Sequence, residues 1–131
     1  MIGILIVSHG NLSSGMLNSM GMLSGIPDAI STLSLTPGVS GDEFMEKVEK
    51  EILKLDQGNG VLVLADIQGG TPFISSCRLM REHNIAVVTG VNLGMACEAA
   101  QSAEDYDNPQ EFAEAMAEVG RFSIKAICQI G

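Results

Sequence analysis

An almost uninterrupted apolar run opens the chain, from Ile2 to Val7, and it ends abruptly in Ser8, His9 and Gly10. Runs of this kind are typical of strands buried on both faces, as parallel strands are when helices cover them. In open α/β sheets, ligands bind at the carboxyl ends of such strands. The pattern therefore predicts a buried first strand with a candidate functional histidine, His9, immediately after it.

Three further apolar runs alternate with segments of helical periodicity, which predicts a mainly parallel sheet with right-handed crossovers. The predicted strands cover 29–35, 61–65 and 85–89. Before the second helix, Ser40 and Glu43 form a capping-box pattern. The first predicted helix ends at Gly25, and the second ends before the turn at 57–60. Three more are predicted from Thr71 to about His83, from Met95 to about Ala103 and from Pro109 to about Gly120.

The last segment has a different pattern. Apolar residues from Phe122 to Ile130 alternate with mostly polar ones, and this period of two marks a half-exposed strand. We therefore predict an α/β fold with three layers. It has a mainly parallel four-stranded sheet in the flavodoxin-like order 2-1-3-4, helices on both faces, and a C-terminal antiparallel edge strand.

The length and the charge narrow the function classes. At 131 residues the chain fits one domain, which we place at residues 1–131. Its net charge of −9 excludes nucleic acid as a partner, since a phosphate backbone requires a basic surface. It also disfavours unaided binding to anionic lipid. An acidic surface suits a basic protein partner, because charge complementarity speeds encounter.

The cysteines and the N-terminus indicate a cytoplasmic setting. The three cysteines, Cys77, Cys97 and Cys128, have neither metal-ligand spacing nor a disulfide-rich pattern. The N-terminus lacks the basic flank and cleavage site of a signal peptide. No apolar run approaches the length of a membrane span.

Asp66 ends the third strand as His9 ends the first, although 57 positions separate them. In the order 2-1-3-4 these strands are neighbours and the winding direction reverses between them, so we expect both residues at one crevice. A carboxylate that accepts a hydrogen bond from one imidazole nitrogen leaves the other nitrogen's lone pair free. It also stabilises the imidazolium that forms when that nitrogen attacks an electrophile.

A glycine-rich turn follows Asp66. Gly69 and Gly70 precede Thr71, which suits an N-cap, and Pro72, which suits the first helical position. Free N–H groups and the positive end of a helix dipole make such a turn an anion site. A nucleophilic imidazole, an orienting carboxylate and a phosphate cradle together predict a phosphohistidine intermediate. Each feature alone also has a purely structural explanation. A histidine can simply end a strand, an aspartate can cap the chain after a strand, and a glycine-rich turn can simply lead into a helix.

Two other groups of residues are assigned structural roles. The methionines at 16 and 20 fall on one helical face with Leu23 and are expected in the core. His83 ends a predicted helix, where its interaction with the helix dipole explains it. No metal site is expected, because His9 and Asp66 have no third ligand.

These motifs resemble the IIA domain of the mannose (mannose-fructose-sorbose) family of the sugar phosphotransferase system. The resemblance lies in GILIVSHG at 3–10, DIQGGTPF at 66–73 and TGVNL at 89–93, and it extends over essentially the whole chain. It implies that His9 takes a phosphoryl group on Nε2 from the carrier protein HPr. His9 then passes it to a IIB domain, which phosphorylates sugar during uptake through membrane IIC and IID subunits.

The resemblance also assigns roles to the other motif residues. Asp66 orients His9, and Thr71, with the loop amides of Gly69 and Gly70, contacts the phosphoryl oxygens. No cofactor is implied. Homodimers are expected, and in some members of the family the last strand is exchanged between subunits, which fits the alternation from Phe122 to Ile130. A peripheral membrane association through the transporter is compatible with this role.

The chain departs from the family pattern at Ile74, where asparagine is common, and at 94–96, where Gly-Met-Ala replaces Pro-Met-Leu. Both positions lie on the rim that a partner would contact. The alternatives are a phosphocarrier subunit of dihydroxyacetone kinase, a phosphorylation-dependent regulatory module and a hydrolase. Histidine phosphatases carry Arg-His-Gly, whereas Ser8 stands where their phosphate-clamping arginine would be. These motifs do not encode which sugar is transported. They also do not encode whether the chain is a standalone IIA protein or part of a IIA–IIB fusion.

Overall fold

The computed structural model describes all residues from 1 to 131. The strands are β1 (Gly3–His9), β2 (Ile30–Leu35), β3 (Val61–Ala65) and β4 (Ile85–Val88); the helices are α1 (Leu12–Leu23), α2 (Gly41–Leu55), α3 (Gly70–Arg78), α4 (Leu93–Ser102) and α5 (Pro109–Phe122). A short 3₁₀ helix, Leu79–Arg81, continues α3, so the helix predicted to reach His83 is α-helical only to Arg78. None of the helices combines the length and apolarity needed to cross a bilayer.

The four strands form one parallel sheet in the order β2-β1-β3-β4, as predicted. The strand β1 lies between β2 and β3, with Val7 opposite both Leu33 and Ala65. Its side chains from Ile4 to Val7 are almost fully buried, because helices cover both faces of the sheet. The apolar run therefore forms the centre of the sheet.

Side-chain alternation along β1 divides the core into two clusters. Ile4 and Ile6 face the layer of α1, α4 and α5, where Met20 and Phe112 are fully buried. Leu5 and Val7 face the opposite layer, which α2 fills with Phe44, Val48, Ile52 and Leu55. The three-layer prediction is confirmed. Of the methionines predicted to lie in the core, Met20 is fully buried and Met16 partly buried, whereas Leu23, which was placed on the same face, is 67% exposed.

Several helix starts follow the predicted capping chemistry. The hydroxyl of Ser40 accepts the N–H of Glu43 at 3.1 Å, and Pro109 opens α5 behind an Asn108 cap. The N-cap assigned to Thr71 is wrong: the cap position is two residues earlier, at Gly69, and α3 begins at Gly70. The reason is that both glycines adopt positive φ, which turns the chain into the helix without a side-chain cap.

The predicted C-terminal edge strand does not form in this chain. Residues 124–131 have no strand pairing, and Ile124, Ile127 and Ile130 are 72%, 74% and 98% exposed. A strand requires the backbone of a neighbouring strand, and no strand of the same chain pairs with this segment after α5 ends at Phe122. The sheet is therefore all-parallel, with β4 at one edge.

Candidate functional site

His9 and Asp66 lie together at the carboxyl edge of the sheet. His9 is the last residue of β1 and Asp66 follows β3, which pairs directly with β1. The backbone N–H of Asp66 donates to the carbonyl of Val7 at 3.2 Å, so the strand pairing continues into the site. Sheet topology thus brings two residues that are 57 positions apart into contact.

The Asp66 carboxylate accepts three hydrogen bonds. Its Oδ2 accepts the backbone N–H of His9 at 2.8 Å and lies 2.8 Å from Nδ1 of the same residue. Its Oδ1 accepts the N–H of Ile67 at 2.9 Å. The Asp66 side chain is only 7% exposed, whereas that of His9 is 48% exposed. A buried carboxylate therefore holds a histidine whose ring reaches solvent.

These contacts set the charge of the pair. Burial by itself raises the pKa of Asp66, but the hydrogen bonds from the backbone and ring of His9 and from the N–H of Ile67 outweigh it, and the net pKa is lowered. Asp66 is thus ionised at neutral pH and can only accept hydrogen bonds. The neutral ring of His9 must then carry its proton on Nδ1, which leaves the lone pair on Nε2.

The free edge of the His9 ring lies against Gly70. A Cβ atom at position 70 would stand 2.9 Å from Nε2 and 2.8 Å from Cε1, both inside van der Waals contact. The φ of Gly70 is also positive, at +77°. Glycine is required here twice over, because any side chain would strain the backbone and displace the ring.

The first turn of α3 adjoins this ring edge. The N–H groups of Gly70 and Thr71 have no acceptor within the helix, as in the first turn of any helix. Thr71 is partly exposed, and its hydroxyl makes no hydrogen bond within the chain. Free N–H groups and the positive end of the helix dipole favour an anion next to Nε2.

Substitution of Gly69 and Gly70 is expected to distinguish the effect of contact with the His9 ring from the effect of backbone strain. Gly69 has a φ of +91°, but a Cβ there would meet no atom within 4 Å. Gly69→Ala and Gly70→Ala should therefore each lose stability, about 1–3 kcal/mol for a side chain held at a positive φ that favours glycine. Gly70→Ala should in addition displace His9 and slow its predicted phosphorylation by about 100-fold, as misplaced reacting groups do, and so should lose more rate than Gly69→Ala, which keeps its backbone N–H.

Urea unfolding and phosphoryl-transfer rates on the two purified variants make this comparison. Equal rates in both would show that the approach of Gly70 to His9 has no role in the chemistry.

Two features of the structure were not expected from the sequence. Ser8 is completely buried and hydrogen-bonds both to Gly10 and to the start of α1, although only its place in an apolar strand marked it. The helix end predicted at His83 is wrong, because His83 lies two residues beyond the 3₁₀ helix; its Nε2 lies 2.8 Å from Oε2 of Glu49 on α2. Glu82 lies close by. The pair ties α2 to the segment after the 3₁₀ helix, remote in sequence from the His9 site.

Comparison with known proteins agrees with this architecture. The family model described as "PTS system fructose IIA component", EIIA-man, matches residues 3–117. The mannose-specific EIIAB component of the phosphotransferase system (PTS) of Escherichia coli K12 is 32% identical over 128 residues. That match covers 96% of this chain but only 39% of the relative, so the chain spans about two fifths of that protein's length.

Two solved structures share the fold along the whole chain. Phosphotransferase system component EIIA from Streptococcus agalactiae superposes with a TM-score of 0.88 at 29% identity, and the match covers 96% of this chain and 97% of that one. The mannose/sorbose-specific IIA subunit from Enterococcus faecalis gives the same TM-score and identity over 99% and 97%. The family match, the identity and the common fold establish that the chain belongs to the EIIA-man family of phosphotransferase system IIA components.

Proposed function

We propose that the chain is a phosphohistidine relay of the sugar phosphotransferase system, in which His9 accepts a phosphoryl group from HPr and passes it to a IIB domain. The observation that carries this proposal is the state of the His9 ring. Nδ1 is bound to an ionised carboxylate at 2.8 Å, and Nε2 lies against Gly70 at the N-terminus of α3. A nucleophilic nitrogen next to an anion-binding turn is what phosphoryl transfer requires.

The proposed transfer needs no group beyond the two histidines. The lone pair of His9 Nε2 attacks the phosphorus of the phosphohistidine on HPr; a new N–P bond forms as the bond to the HPr imidazole breaks. The electron pair of that bond returns to the HPr ring. His9 becomes a phosphorylated imidazolium whose Nδ1 proton faces Asp66, and the negative carboxylate stabilises this positive charge. Attack by the acceptor group of IIB on the same phosphorus reverses these changes at His9.

The turn that follows Asp66 supplies the proposed phosphoryl contacts. The N–H groups of Gly69 and Gly70 and the hydroxyl of Thr71 are the donors assigned to the phosphoryl oxygens. Asp66 lies on the opposite, Nδ1, edge of the ring, so its charge is directed at the imidazolium rather than at the phosphoryl oxygens. The first turn of α3 then offsets the negative charge of the transferring group.

The proposed partners follow from the family and the charge. HPr is the donor, IIB the acceptor, and the membrane IIC and IID subunits are reached through IIB, with no nucleic acid involved. We place residues 1–131 as a single IIA-type domain on the cytoplasmic side of this transporter. The net charge of −9 favours a basic donor surface. Relatives are described as mannose-, fructose- and sorbose-specific, and the sugar is chosen outside this chain.

The direct test is phosphorylation of the purified chain by phosphoenolpyruvate, Enzyme I and HPr. We expect one phosphoryl group per chain, labile in acid and stable in base, whose ³¹P and ¹⁵N NMR signals place it on Nε2. Transfer onward to a purified IIB domain should empty the site. An acid-stable product, or a phosphoryl group on Nδ1, would contradict the proposal.

We also propose that the chain forms a homodimer in which the segment 124–130 pairs with a neighbouring subunit. The segment is exposed, and its apolar residues alternate with polar ones. The edge strand β4 has an unpaired side, along which a groove is lined by Val87, Thr89, Ala113 and Ala117. The exposed segment and the open edge of β4 are complementary, because the unpaired backbone N–H and C=O groups of one can hydrogen-bond to those of the other.

Substitution on one face of this segment should dissociate the dimer. Ile124→Asp places a charge on the face that carries Ala126 and Ile130, whereas Gln129→Asp places one on the opposite face as a matched control. We expect Ile124→Asp to sediment at the mass of one chain, and both the unmodified protein and Gln129→Asp to sediment at twice that mass. A monomeric unmodified protein would refute the dimer.

A further inference from the structure

Ser8 is a fully buried hydroxyl next to the proposed phosphoryl acceptor. The pleat of β1 places Ser8 with Ile4 and Ile6 on the α1 face, and His9 on the opposite face. The Ser8 Oγ donates to the carbonyl of Gly10 at 3.1 Å and accepts the N–H of Ser13, in the first turn of α1, at 2.8 Å. Asn11 occupies the N-cap position of α1 but makes no capping bond, so Ser8 takes over that task.

These two bonds fix the turn on both sides of His9. Gly10, which follows His9, has a φ of +59° and also donates its N–H to the carbonyl of Leu35 at 2.8 Å. The backbone of His9 is thus held between Ser8 before it and Gly10 after it. That backbone directs the His9 N–H at Asp66 Oδ2, the same oxygen that faces Nδ1.

A second serine ties the turn to the neighbouring strand. Ser13 is also fully buried, and its Oγ donates to the carbonyl of Leu33 at 3.2 Å and lies 3.2 Å from Oγ of Ser34. Loss of the Ser13 hydroxyl would remove these contacts with β2, which form the outer link of the turn. The Ser13 backbone N–H would still donate to Ser8 Oγ, so this bond, the inner link next to His9, would survive.

We propose that Ser8 is a positioning residue for phosphoryl transfer at His9, acting through the turn and not through contact with the phosphoryl group. The inference rests on the proposed function. Without the Ser8 hydroxyl, the Gly10 carbonyl and the Ser13 N–H lose a buried partner, the turn relaxes, and the ring of His9 is no longer held in one position against Asp66. Reacting groups that move by about 1 Å lose rate by about 100-fold.

The experiment compares Ser8→Ala, Ser8→Thr and Ser13→Ala. In ¹⁵N NMR of the unphosphorylated chain, Ser8→Ala should change the His9 ring signals from a single Nδ1-protonated form to an average of two forms. The His83 signals serve as an internal reference. With HPr as donor, kcat should fall about 100-fold while KM stays within about twofold. Ser8→Thr, which keeps the hydroxyl, and Ser13→Ala, which keeps the inner link, should retain the single form and most of the rate.

The proposal is overturned if Ser8→Ala keeps the ring signals and the kcat of the unmodified chain, or if Ser13→Ala reproduces its losses. If the unmodified chain takes no phosphoryl group, the proposed function fails, but the ring signals still decide whether Ser8 positions His9.

Discussion

Replacement of His9 by alanine is expected to abolish phosphorylation of the chain completely. No other side chain near Asp66 can replace an imidazole nitrogen: the second histidine, His83, lies beyond the far end of α3 and is bound to Glu49. Because His9 is about half exposed and ends its strand, its removal should leave the fold intact. The measurement is incorporation of radioactive phosphate from phosphoenolpyruvate through Enzyme I and HPr, in parallel with circular dichroism.

His83→Ala is the matched control for this experiment. It also removes an imidazole, and with it the bond to Glu49, at a cost of about 0.5–1.5 kcal/mol of stability. We expect its phosphorylation to match that of the unmodified chain. Label that persists in His9→Ala, or is lost in His83→Ala, would show that His9 is not the phosphoryl acceptor.

The strands of the sheet were predictable from hydrophobicity, and their order was taken from the flavodoxin-like arrangement. Four apolar runs separated by helical segments permit few arrangements once crossovers must be right-handed, and the flavodoxin-like order is the observed one. The C-terminal strand was not predictable in the same way. Alternation from Phe122 to Ile130 describes which faces a strand would have, but whether a strand forms depends on a partner backbone that these residues do not supply.

The site could be predicted at the level of residues but not of local geometry. His9 and Asp66 follow from topology, since the ends of neighbouring parallel strands share an edge. The helix start at Gly70 was missed, because the chain enters α3 through two successive glycines with positive φ, whereas the prediction relied on the capping preferences of side chains. The roles of Ser8 and Glu49 were missed because their partners are set by how α1 and α2 pack on the sheet.

Asp66→Asn is expected to slow phosphoryl transfer by at least about 100-fold while the chain remains folded. The amide has nearly the shape of the carboxylate but no negative charge, so it stabilises the imidazolium of phosphorylated His9 far less. The rate should fall with both HPr as donor and IIB as acceptor, because His9 passes through the same charged state in each direction. Rapid-quench measurements of both half-reactions test this, and a variant within about threefold of the unmodified rate would exclude Asp66 as the orienting group.

The same substitution should also destabilise the fold, because no orientation of the amide satisfies the three donors. If its oxygen faces His9, its NH₂ group meets the N–H of Ile67; if it is reversed, its NH₂ group meets the two donors of His9. Either arrangement leaves a backbone N–H without its acceptor in the side chain at position 66, and the loss of such a hydrogen bond costs about 0.5–1.5 kcal/mol. Urea unfolding at pH 7 should show this loss.

The pH dependence of that loss follows from the lowered pKa of Asp66. Burial opposes ionisation, yet the bonds from His9 and Ile67 hold the pKa of the folded carboxyl below its ordinary value of 3.8. The stability that the ionised group contributes is then fully present above pH 3.8, and it disappears as the pH falls through the folded pKa. The asparagine side chain of the variant does not titrate, so the difference in unfolding free energy between the two proteins should be smaller at pH 3 than at pH 5. A difference in unfolding free energy that is the same at pH 5 and at pH 3 would mean that ionisation of Asp66 contributes nothing to the stability of the fold.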